Sequence, residues 1–405
     1  MDSKLATVAL LLCLVASNIL LVAEKNQPET PRKAQDNTAT FRGSLARTGY
    51  FPCGLGKWQA GEERKTVVYI VADYKYLYAL DAETGKELWK VETGCESGSP
   101  YVIDGALYIG SGIRSRSAET HLYALNARTG KEIWKAKSGG QFTESLVVAG
   151  GVVYAGSMDH YLYAIDAKSG KELWKARSVE APFSPPTVYD GAVYVGSQAL
   201  DAKTGKKFWG VAAERLVISG SPTVVDGVAY VGPVDGYLQA LDAKSGKEIW
   251  KVKLEERITS SLAFTRGVVY TSPNGKYLYA FEARTGKNLW KVKVGVDEQK
   301  HPGYYFYFAN HSCPVIVDGV VYYGANDRRI YALDARTGKE KWKTQVRGVI
   351  LGSSPALANG VLYVGDSDGY LYALNAKTGK MRWEVKTEAQ ISSSPSVASG
   401  CDIGT

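Results

Sequence analysis

Short apolar runs, separated by glycine, aspartate and asparagine, occupy most of the chain after residue 66. In the stretch that ends at Trp134, four such runs follow one another, at residues 99–103, 106–110, 121–125 and 131–136. Runs of this length that end at turn residues predict β-strands, and Asp104-Gly105 between the first two predicts a tight hairpin. No 3.6-residue helical periodicity recurs between the runs. Each such stretch is therefore predicted to form a four-stranded antiparallel sheet.

One motif, Ala-x-[Asp/Asn/Glu]-Ala-x-[Thr/Ser]-Gly-Lys-x-x-Trp, recurs eight times along the chain. The tryptophans that end successive copies are 45, 40, 35, 41, 40, 52 and 41 residues apart. A period near 40 residues indicates a repeat architecture, in which each unit buries its apolar face against its neighbours. Four-stranded units at this period predict an all-β, eight-bladed β-propeller whose antiparallel blades surround a central channel.

The repeated tryptophan lies on the fourth strand of each unit, where a large flat ring can wedge between adjacent blades. We expect its indole N–H to donate to a carbonyl of the neighbouring blade. The glycine of the Thr/Ser-Gly-Lys turn supplies a left-handed backbone position. The eight residues predicted to dock blades in this way are Trp89, Trp134, Trp174, Trp209, Trp250, Trp290, Trp342 and Trp383.

The two ends of the repeat array are complementary. The first unit has matches for the second, third and fourth strands but none for the first, Ser-Pro strand. Residues 394–398 supply a Ser-Pro strand with no second or third strand after it. The C-terminal strand is therefore predicted to complete blade 1, which closes the ring and removes its open edge. The fourth unit is predicted to lack most of its third strand.

The motif resembles the tryptophan-docking repeat of propellers in the pyrroloquinoline quinone (PQQ) family. The segment from Phe41-Arg42-Gly43 to Tyr50 also resembles the opening segment of many such proteins, so the resemblance covers residues 41–405. It implies the fold, while function varies within the family. Members include quinoprotein dehydrogenases that bind the quinone with calcium, the propeller lipoprotein of the outer-membrane β-barrel assembly machinery, and non-enzymatic surface proteins.

The dehydrogenase alternative implies residues that this chain does not share. Those enzymes show a vicinal cysteine pair, whereas Cys13, Cys53, Cys95, Cys313 and Cys401 are isolated from one another. Most carboxylates belong to the repeated turn, and residues 366–369 match an Asp-Gly turn better than a complete calcium loop. We therefore expect no catalytic residue and no cofactor, with PQQ and calcium as the alternative.

The N-terminus predicts export. Residues 5–23 are mostly apolar, which is long for a signal-peptide core and sufficient to span a bilayer. Residues 1–24 are accordingly interpreted as a signal peptide or membrane anchor, residues 25–40 as a polar tether, and residues 41–405 as the propeller. The expected location is extracytoplasmic, at the cell surface or in the periplasm, with the membrane contacted through residues 5–23.

The net charge of +8 comes mostly from lysine and arginine in the repeated turns. Such periodic placement is typical of a solubilising surface, whereas nucleic-acid binding requires a concentrated basic patch with interleaved aromatic residues. We therefore expect no nucleic-acid partner and a monomeric propeller.

Two insertions depart from the repeat, at residues 112–119 and 297–311. In a propeller both belong to the same face, and departures from a repeat are where function is added to a scaffold. Their aromatic and arginine side chains favour contact with a protein partner. The partner-binding candidates are Arg114, Arg116, Tyr304, Tyr305, Phe306, Tyr307 and Phe308.

The second insertion and the residues directly after it also contain the candidates for a metal site. His301, His311 and Cys313 carry ligands that suit zinc or copper. The ten-residue gap between the two histidines matches no known ligand spacing, and a fourth ligand is not evident. The sequence therefore predicts a non-catalytic, membrane-tethered binding scaffold at the cell envelope. The alternatives are a PQQ- and calcium-dependent dehydrogenase and an outer-membrane protein assembly factor.

Overall fold

A computed structural model describes the chain over most of the repeat array. The described residues are 50–52, 65–72, 76–95, 98–111, 120–178, 185–196, 198–210, 220–232, 236–256, 258, 260–296, 312–391 and 393–401. They form eight antiparallel sheets, each with the four strands of one predicted unit, so the eight-bladed propeller is confirmed. Within these ranges no helix has the length and apolar character that a bilayer crossing requires.

The blades are numbered in chain order, and the strands of each run from the central channel outward. Blade 1 contains β1 (Tyr50–Pro52), β33 (Ser396–Cys401), β2 (Lys65–Ala72), β3 (Tyr76–Asp81) and β4 (Glu87–Glu92). Blade 2 contains β5 (Tyr101–Ile103), β6 (Ala106–Gly110), β7 (His121–Asn126) and β8 (Glu132–Lys137). Blade 3 contains β9 (Phe142–Ala149), β10 (Val152–Ser157), β11 (Tyr161–Asp166) and β12 (Glu172–Arg177). Blade 4 contains β13 (Thr187–Tyr189), β14 (Ala192–Val195), β15 (Gln198–Asp201) and β16 (Lys207–Gly210).

The second half of the ring repeats this arrangement. Blade 5 contains β17 (Thr223–Val225), β18 (Val228–Val231), β19 (Tyr237–Asp242) and β20 (Glu248–Lys253). Blade 6 contains β21 (Ala263–Thr265), β22 (Val268–Thr271), β23 (Tyr277–Glu282) and β24 (Asn288–Lys293), with a 3-10 turn at Pro273–Gly275. Blade 7 contains β25 (Val315–Val317), β26 (Val320–Gly324), β27 (Arg329–Asp334) and β28 (Glu340–Gln345). Blade 8 contains β29 (Ala356–Ala358), β30 (Val361–Gly365), β31 (Tyr370–Asn375) and β32 (Met381–Lys386).

The hairpin between the first two strands of a blade has the conformation that its Asp-Gly turn residues predict. In blade 2, Asp104 has a φ of 49° and Gly105 a φ of 75°, so both central residues are left-handed. This is the type I′ turn, whose twist matches that of the two strands it joins. The turn sets the register Ile103↔Ala106, as predicted from the Asp-Gly pair.

The fourth blade differs from its prediction in one strand. The third strand, expected to be mostly missing, is present over Gln198–Asp201 and pairs with both of its neighbours. It is two residues shorter than the six-residue third strands of the other blades. A tight connection through Gly196, at a φ of 53°, replaces the longer loop found elsewhere.

Ring closure occurs as the sequence predicts. Strand β33 pairs antiparallel with β2, in the register Val68↔Val397, and so supplies the missing first strand of blade 1. The structure adds a feature that the sequence analysis did not predict. Strand β1 pairs parallel with the other edge of β33, in the register Tyr50↔Val397, and makes this sheet five-stranded.

Adjacent blades are joined by the repeated tryptophans. At seven of the joints the indole N–H donates to the carbonyl of the second alanine in the next blade's motif, at 2.8–3.1 Å. The pairs are Trp134–Ala167, Trp174–Ala202, Trp209–Ala243, Trp250–Ala283, Trp290–Ala335, Trp342–Ala376 and Trp383–Ala82. The last pair joins blade 8 to blade 1. The ring is thus closed by a side-chain bond as well as by a strand.

A tyrosine on the second strand donates to the same alanine carbonyl, at 2.8–3.2 Å in every joint. These tyrosines are Tyr69, Tyr108, Tyr154, Tyr194, Tyr230, Tyr270, Tyr322 and Tyr363. A carbonyl oxygen has two lone pairs, so one oxygen can accept both donors. At seven joints, therefore, a tyrosine and a tryptophan of one blade converge on one backbone oxygen of the next, and at the joint of blades 1 and 2 Tyr69 donates to the equivalent oxygen of Ala127.

The turn glycine lets the tryptophan ring lie flat against the neighbouring blade. Gly379 has a φ of 70°, and a Cβ placed on it would lie 2.6 Å from Cε3 of Trp342. Alanine at this position would therefore both strain the backbone and collide with the indole ring.

Removal of β33 should open the ring. A chain that ends at Gln390 lacks the first strand of blade 1, so we expect it to lose the single cooperative unfolding transition and to aggregate through the exposed edge of β2. Differential scanning calorimetry and light scattering measure these two effects. A matched chain that ends at Cys401 keeps β33 and should melt like the full-length protein. Unchanged melting of the shorter chain would contradict the closure.

The joint tyrosines should make the propeller sensitive to alkali. Burial raises the pKa of Tyr154, Tyr230 and Tyr322 to about 12, whereas an unfolded tyrosine titrates near 10. Between these values the folded chain retains protons that the unfolded chain has lost, so the free energy of unfolding falls as pH rises. Between these pKa values, each such tyrosine should lower the free energy of unfolding by about 1.4 kcal/mol per pH unit.

Urea unfolding at a series of pH values from 9 to 11.5 measures this slope. The variant Tyr322→Phe removes one titrating group and should show a shallower fall than the native protein. An equally steep fall in the free energy of unfolding for the native protein and for Tyr322→Phe would contradict the account.

Candidate functional site

The two faces of the propeller are built from different connections. The hairpins after the first strand and the Thr/Ser-Gly turns lie on one face, called here the turn face. The connections between the second and third strands, and those from a fourth strand to the next blade, lie on the other, called here the loop face. Both insertions connect strands whose ends lie at the loop face. The residues of the insertions that the sequence singles out lie outside the described residues: Arg114, Arg116, His301, Tyr304, Tyr305, Phe306, Tyr307, Phe308 and His311.

In blade 8 a buried carboxylate fastens one loop of this face to another. Asp366 is fully buried, and its Oδ2 accepts hydrogen bonds from the Gly348 amide at 2.7 Å and the Tyr372 hydroxyl at 2.6 Å. The Tyr372 oxygen in turn accepts the Arg347 amide at 3.0 Å. Burial, and then the bond to Asp366, raise the pKa of Tyr372. The tyrosine and the aspartate together hold the loop that enters blade 8.

Blade 3 contains the same arrangement. Oδ2 of Asp159 accepts the Tyr163 hydroxyl at 2.5 Å and the Gly139 amide, from the loop that enters the blade, at 3.0 Å. Its Oδ1 accepts the Tyr161 amide at 3.1 Å. Burial, and then the bond to the carboxylate, raise the pKa of Tyr163 to about 12. We call these two arrangements, at Asp159–Tyr163 and Asp366–Tyr372, the loop latches.

Blade 7 carries a variant of the latch directly after the long insertion. Oδ2 of Asp327 accepts the Tyr331 hydroxyl at 2.5 Å and the Arg329 guanidinium at 3.0 Å. Oδ1 of Asp327 is buried and has no hydrogen-bond partner among the residues that the structure describes. The loop that enters the blade is held instead by Asn326, whose Oδ1 accepts the Val296 amide at 3.0 Å. The residue pair that fastens this loop therefore differs from that of blades 3 and 8.

The inner rim of the loop face is a chain of hydroxyl bonds from blade to blade. The backbone amide before the first strand of one blade donates to the serine hydroxyl at the same position in the next blade, at 2.8–2.9 Å. The donor–acceptor pairs are Ser221–Ser261, Cys313–Ser354, Ser354–Ser394 and Ser394–Ser99. These hydroxyls are thus committed to holding the inner strands together.

Cys313 occupies a serine position of this rim. It is fully buried, its amide donates to the Ser354 hydroxyl, and its thiol donates to the Ser261 carbonyl at 3.1 Å. A thiol with these neighbours acts as a small packed residue that bridges blades. Over the part of the chain that the structure describes, no three His, Cys, Asp or Glu side chains converge as a metal site would require.

The outer rim of the loop face pairs lysines with tyrosines. The Nζ of Lys90 lies 3.9 Å from the ring centroid of Tyr76, and that of Lys291 lies 4.1 Å from the ring centroid of Tyr277. Bonds to Tyr78, and then to Glu388, raise the pKa of Lys90. Contacts of an ammonium with a ring face stabilise the cation and keep the long side chain in place. The rim is therefore both cationic and aromatic.

PQQ with calcium, which the PQQ-family fold implies, finds a poor fit among the described residues. Calcium takes six to eight oxygen ligands. Asp366, the carboxylate whose sequence context comes closest to a calcium loop, already accepts bonds from backbone amides and a tyrosine on its two oxygens. The inner-rim serines are engaged between blades. We therefore assign no reaction step to PQQ or calcium in this protein.

The loop latches were missed by the sequence analysis. The signal was an aspartate four residues before the tyrosine that ends a Tyr-Leu-Tyr or Arg-Ile-Tyr run, as at Asp159–Tyr163 and Asp327–Tyr331. In blade 8 the spacing is six residues, because Asp366 takes the role there although Asp368 stands four residues before the tyrosine. A signal whose spacing changes between blades could not be separated from ordinary turn aspartates.

Solved structures with the same fold include proteins of different function. BamB from Moraxella catarrhalis is 18% identical, with a TM-score of 0.59, and the match covers 81% of this chain and 91% of that one. Quinohemoprotein alcohol dehydrogenase from Comamonas testosteroni is 18% identical, with a TM-score of 0.60 and coverage of 74% and 68%. The computationally designed Ika8 protein is 15% identical, with a TM-score of 0.59 and coverage of 77% and 97%. At these identities the likeness concerns the fold alone.

Sequence comparison identifies the family. No curated protein sequence gave a significant match. The family model described as outer membrane protein assembly factor BamB matches residues 118–233, 197–348 and 274–403, which together span more than half of the chain. The chain therefore belongs to the family of PQQ-like propellers that this model describes.

Proposed function

We propose that this protein is an exported, membrane-tethered propeller that carries out no chemistry and binds a protein partner on its loop face. The observation that carries the proposal is the pair of loop latches. The half-buried carboxylate of Asp159 and the fully buried carboxylate of Asp366 each accept a hydrogen bond from the backbone of a neighbouring loop. A rigid framework of this kind presents loops in a fixed geometry, which lowers the entropic cost of binding a partner.

The chemistry of the loop face supports a protein as the ligand. Aromatic and arginine side chains dominate the energetics of protein interfaces. The insertions contribute Arg114, Arg116 and an aromatic run from Tyr304 to Phe308, and the described outer rim adds lysine–tyrosine pairs. Membership of a family whose model is described as an outer membrane protein assembly factor agrees with a role in protein interaction.

The direction of β1 supports a tether on the same side. Strand β33 begins where the chain enters blade 1 from the loop face, and β1 runs parallel to it. Strand β1 therefore begins, at Tyr50, at the loop-face end of the channel. With residues 5–23 in a membrane and residues 25–40 as a tether, the partner-binding face would lie toward that membrane.

The proposal predicts that partner capture depends on the second insertion. Replacement of Tyr304, Tyr305, Phe306, Tyr307 and Phe308 by serine should reduce recovery of the partner from solubilised envelopes at least tenfold, because these side chains form the contact. Quantitative mass spectrometry of proteins captured on the immobilised full-length chain measures the loss. Equal melting temperatures of variant and native protein show that the fold is retained.

A matched control removes five exposed apolar side chains from the outer circumference. Ile133, Leu173, Phe208, Ile249 and Leu289 are 46–56% exposed, and their replacement by serine should leave capture unchanged. Equal capture by the native and insertion-variant proteins would contradict the proposal. Stoichiometric binding of PQQ in a calorimetric titration with excess calcium would replace it with the dehydrogenase alternative.

A further inference from the structure

One arginine on the loop face stands where the backbone favours glycine. Arg328 lies directly before the third strand of blade 7 and has a φ of 63°. The same position in blades 5 and 8 is Gly236 and Gly369, each at a φ of 82°. Blade 3 has His160 there, and histidine adopts this conformation more readily than arginine does. The arginine side chain therefore occupies a position for which the turn geometry alone favours glycine.

The backbone of Arg328 is held by the neighbouring loop. Its carbonyl accepts the Val346 amide and the side-chain amide of Gln345, both at 2.9 Å, where the chain leaves blade 7 for blade 8. The two residues before it, Asn326 and Asp327, are bound in the latch variant of blade 7. The side chain of Arg328 itself is exposed. A partner that binds this side chain would therefore find the backbone already ordered, which lowers the entropic cost of binding.

Three arginines lie in these two loops, and two of them are already neutralised. Arg329 binds Oδ2 of Asp327 at 3.0 Å, and Arg347 binds Oε1 of Glu384 at 2.5 Å. Over the part of the chain that the structure describes, the guanidinium group of Arg328 has neither an ion pair nor a hydrogen bond. This corner of the loop face therefore keeps one exposed guanidinium group whose charge a carboxylate would complement.

We propose that Arg328 binds a carboxylate side chain of the partner protein at the loop face of blade 7. A guanidinium group is planar and can donate two parallel hydrogen bonds to one carboxylate, which gives direction as well as affinity. Arginine is also among the residues that contribute most to binding at protein interfaces. The inference rests on the proposed function, because a protein bound to this face would supply the carboxylate. The affinity of the site for carboxylates can nevertheless be measured without that protein.

Arg266 provides a matched control on the turn face. It lies in the first hairpin of blade 6, at a φ of 47°, and its side chain is exposed. Replacement of either arginine by glycine removes one positive charge and one side chain from a left-handed position. The two variants therefore differ chiefly in the face of the propeller that they alter.

Titration of the full-length protein with fluorescein-labelled hexaglutamate tests the site directly. Fluorescence anisotropy at low ionic strength measures the dissociation constant, with labelled hexaglutamine as the uncharged control peptide. The variant Arg328→Gly should bind hexaglutamate at least about threefold more weakly than the native protein, as expected for the loss of one exposed ion pair. The variant Arg266→Gly should bind it as the native protein does.

Two results of this titration would overturn the proposal. One is an affinity for hexaglutamate that Arg328→Gly leaves unchanged, or that both variants reduce equally. The other is native protein that binds hexaglutamate no more tightly than hexaglutamine.

The melting temperature separates binding from a structural role of the side chain. Glycine relieves the left-handed strain, so Arg328→Gly should melt at the native temperature or up to about 3 °C above it. A fall of more than about 5 °C would show that the arginine stabilises the fold, and would overturn the assignment.

Capture of the partner from solubilised envelopes distinguishes a failure of this assignment from a failure of the proposed function. Capture that depends on the second insertion but is equal for the native and Arg328→Gly proteins would contradict the role of Arg328 alone. Capture that is equal for the native and insertion-variant proteins would contradict the proposed function. In that case the hexaglutamate titration would still decide whether Arg328 binds carboxylates.

Discussion

The propeller depends on one interaction repeated around the ring, the convergence of a tyrosine hydroxyl and a tryptophan indole on one alanine carbonyl of the next blade. At the joint of blades 7 and 8 the two donors lie 3.2 and 2.9 Å from the Ala376 oxygen, and their rings are 6.0 Å apart. Each donor loses water when the blades pack, and an unpaired buried donor would cost about 1–3 kcal/mol. A blade displaced from its neighbour would leave both donors without this oxygen, so the joint fixes how adjacent blades pack.

The other residues of the repeated motif hold that alanine oxygen in place. The acidic or amide residue before the second alanine accepts bonds from the turn that follows, as Asp334 does from the Thr337 amide and hydroxyl. The glycine after the threonine leaves room for the indole ring. Because the scaffold is held from between the blades and from the turn face, the loop face is free to vary. The latches lie there, and both insertions connect strands that end there, which links the architecture to the proposed binding role.

The repeat allowed most of the fold to be predicted, because one local pattern recurs and each copy supports the others. The period of Trp89 and its equivalents, the Asp-Gly hairpins and the displaced Ser-Pro strand were sufficient for blade number and closure. Strand β1 was not predictable, since Tyr50-Phe51-Pro52 has no periodic signal and its partner lies at the opposite end of the chain. The joint tyrosines were visible as repeated residues, but the acceptor that they share with the tryptophans can be identified only from the distances between blades in the structure.

The site was less predictable than the fold, because the latch spacing differs between blades and the insertion residues belong to no repeat.

Hydrogen exchange of the tryptophan indole groups tests the central role of the joint most directly. In the 44.0 kDa protein, nitrogen-15 NMR can follow each indole N–H separately. If the joints hold the ring together, the seven indoles that donate to alanine carbonyls should exchange only through global unfolding, with one common and steep dependence on denaturant. Indoles that exchange orders of magnitude faster, each with its own weak denaturant dependence, would show that the joints open singly and would contradict the account.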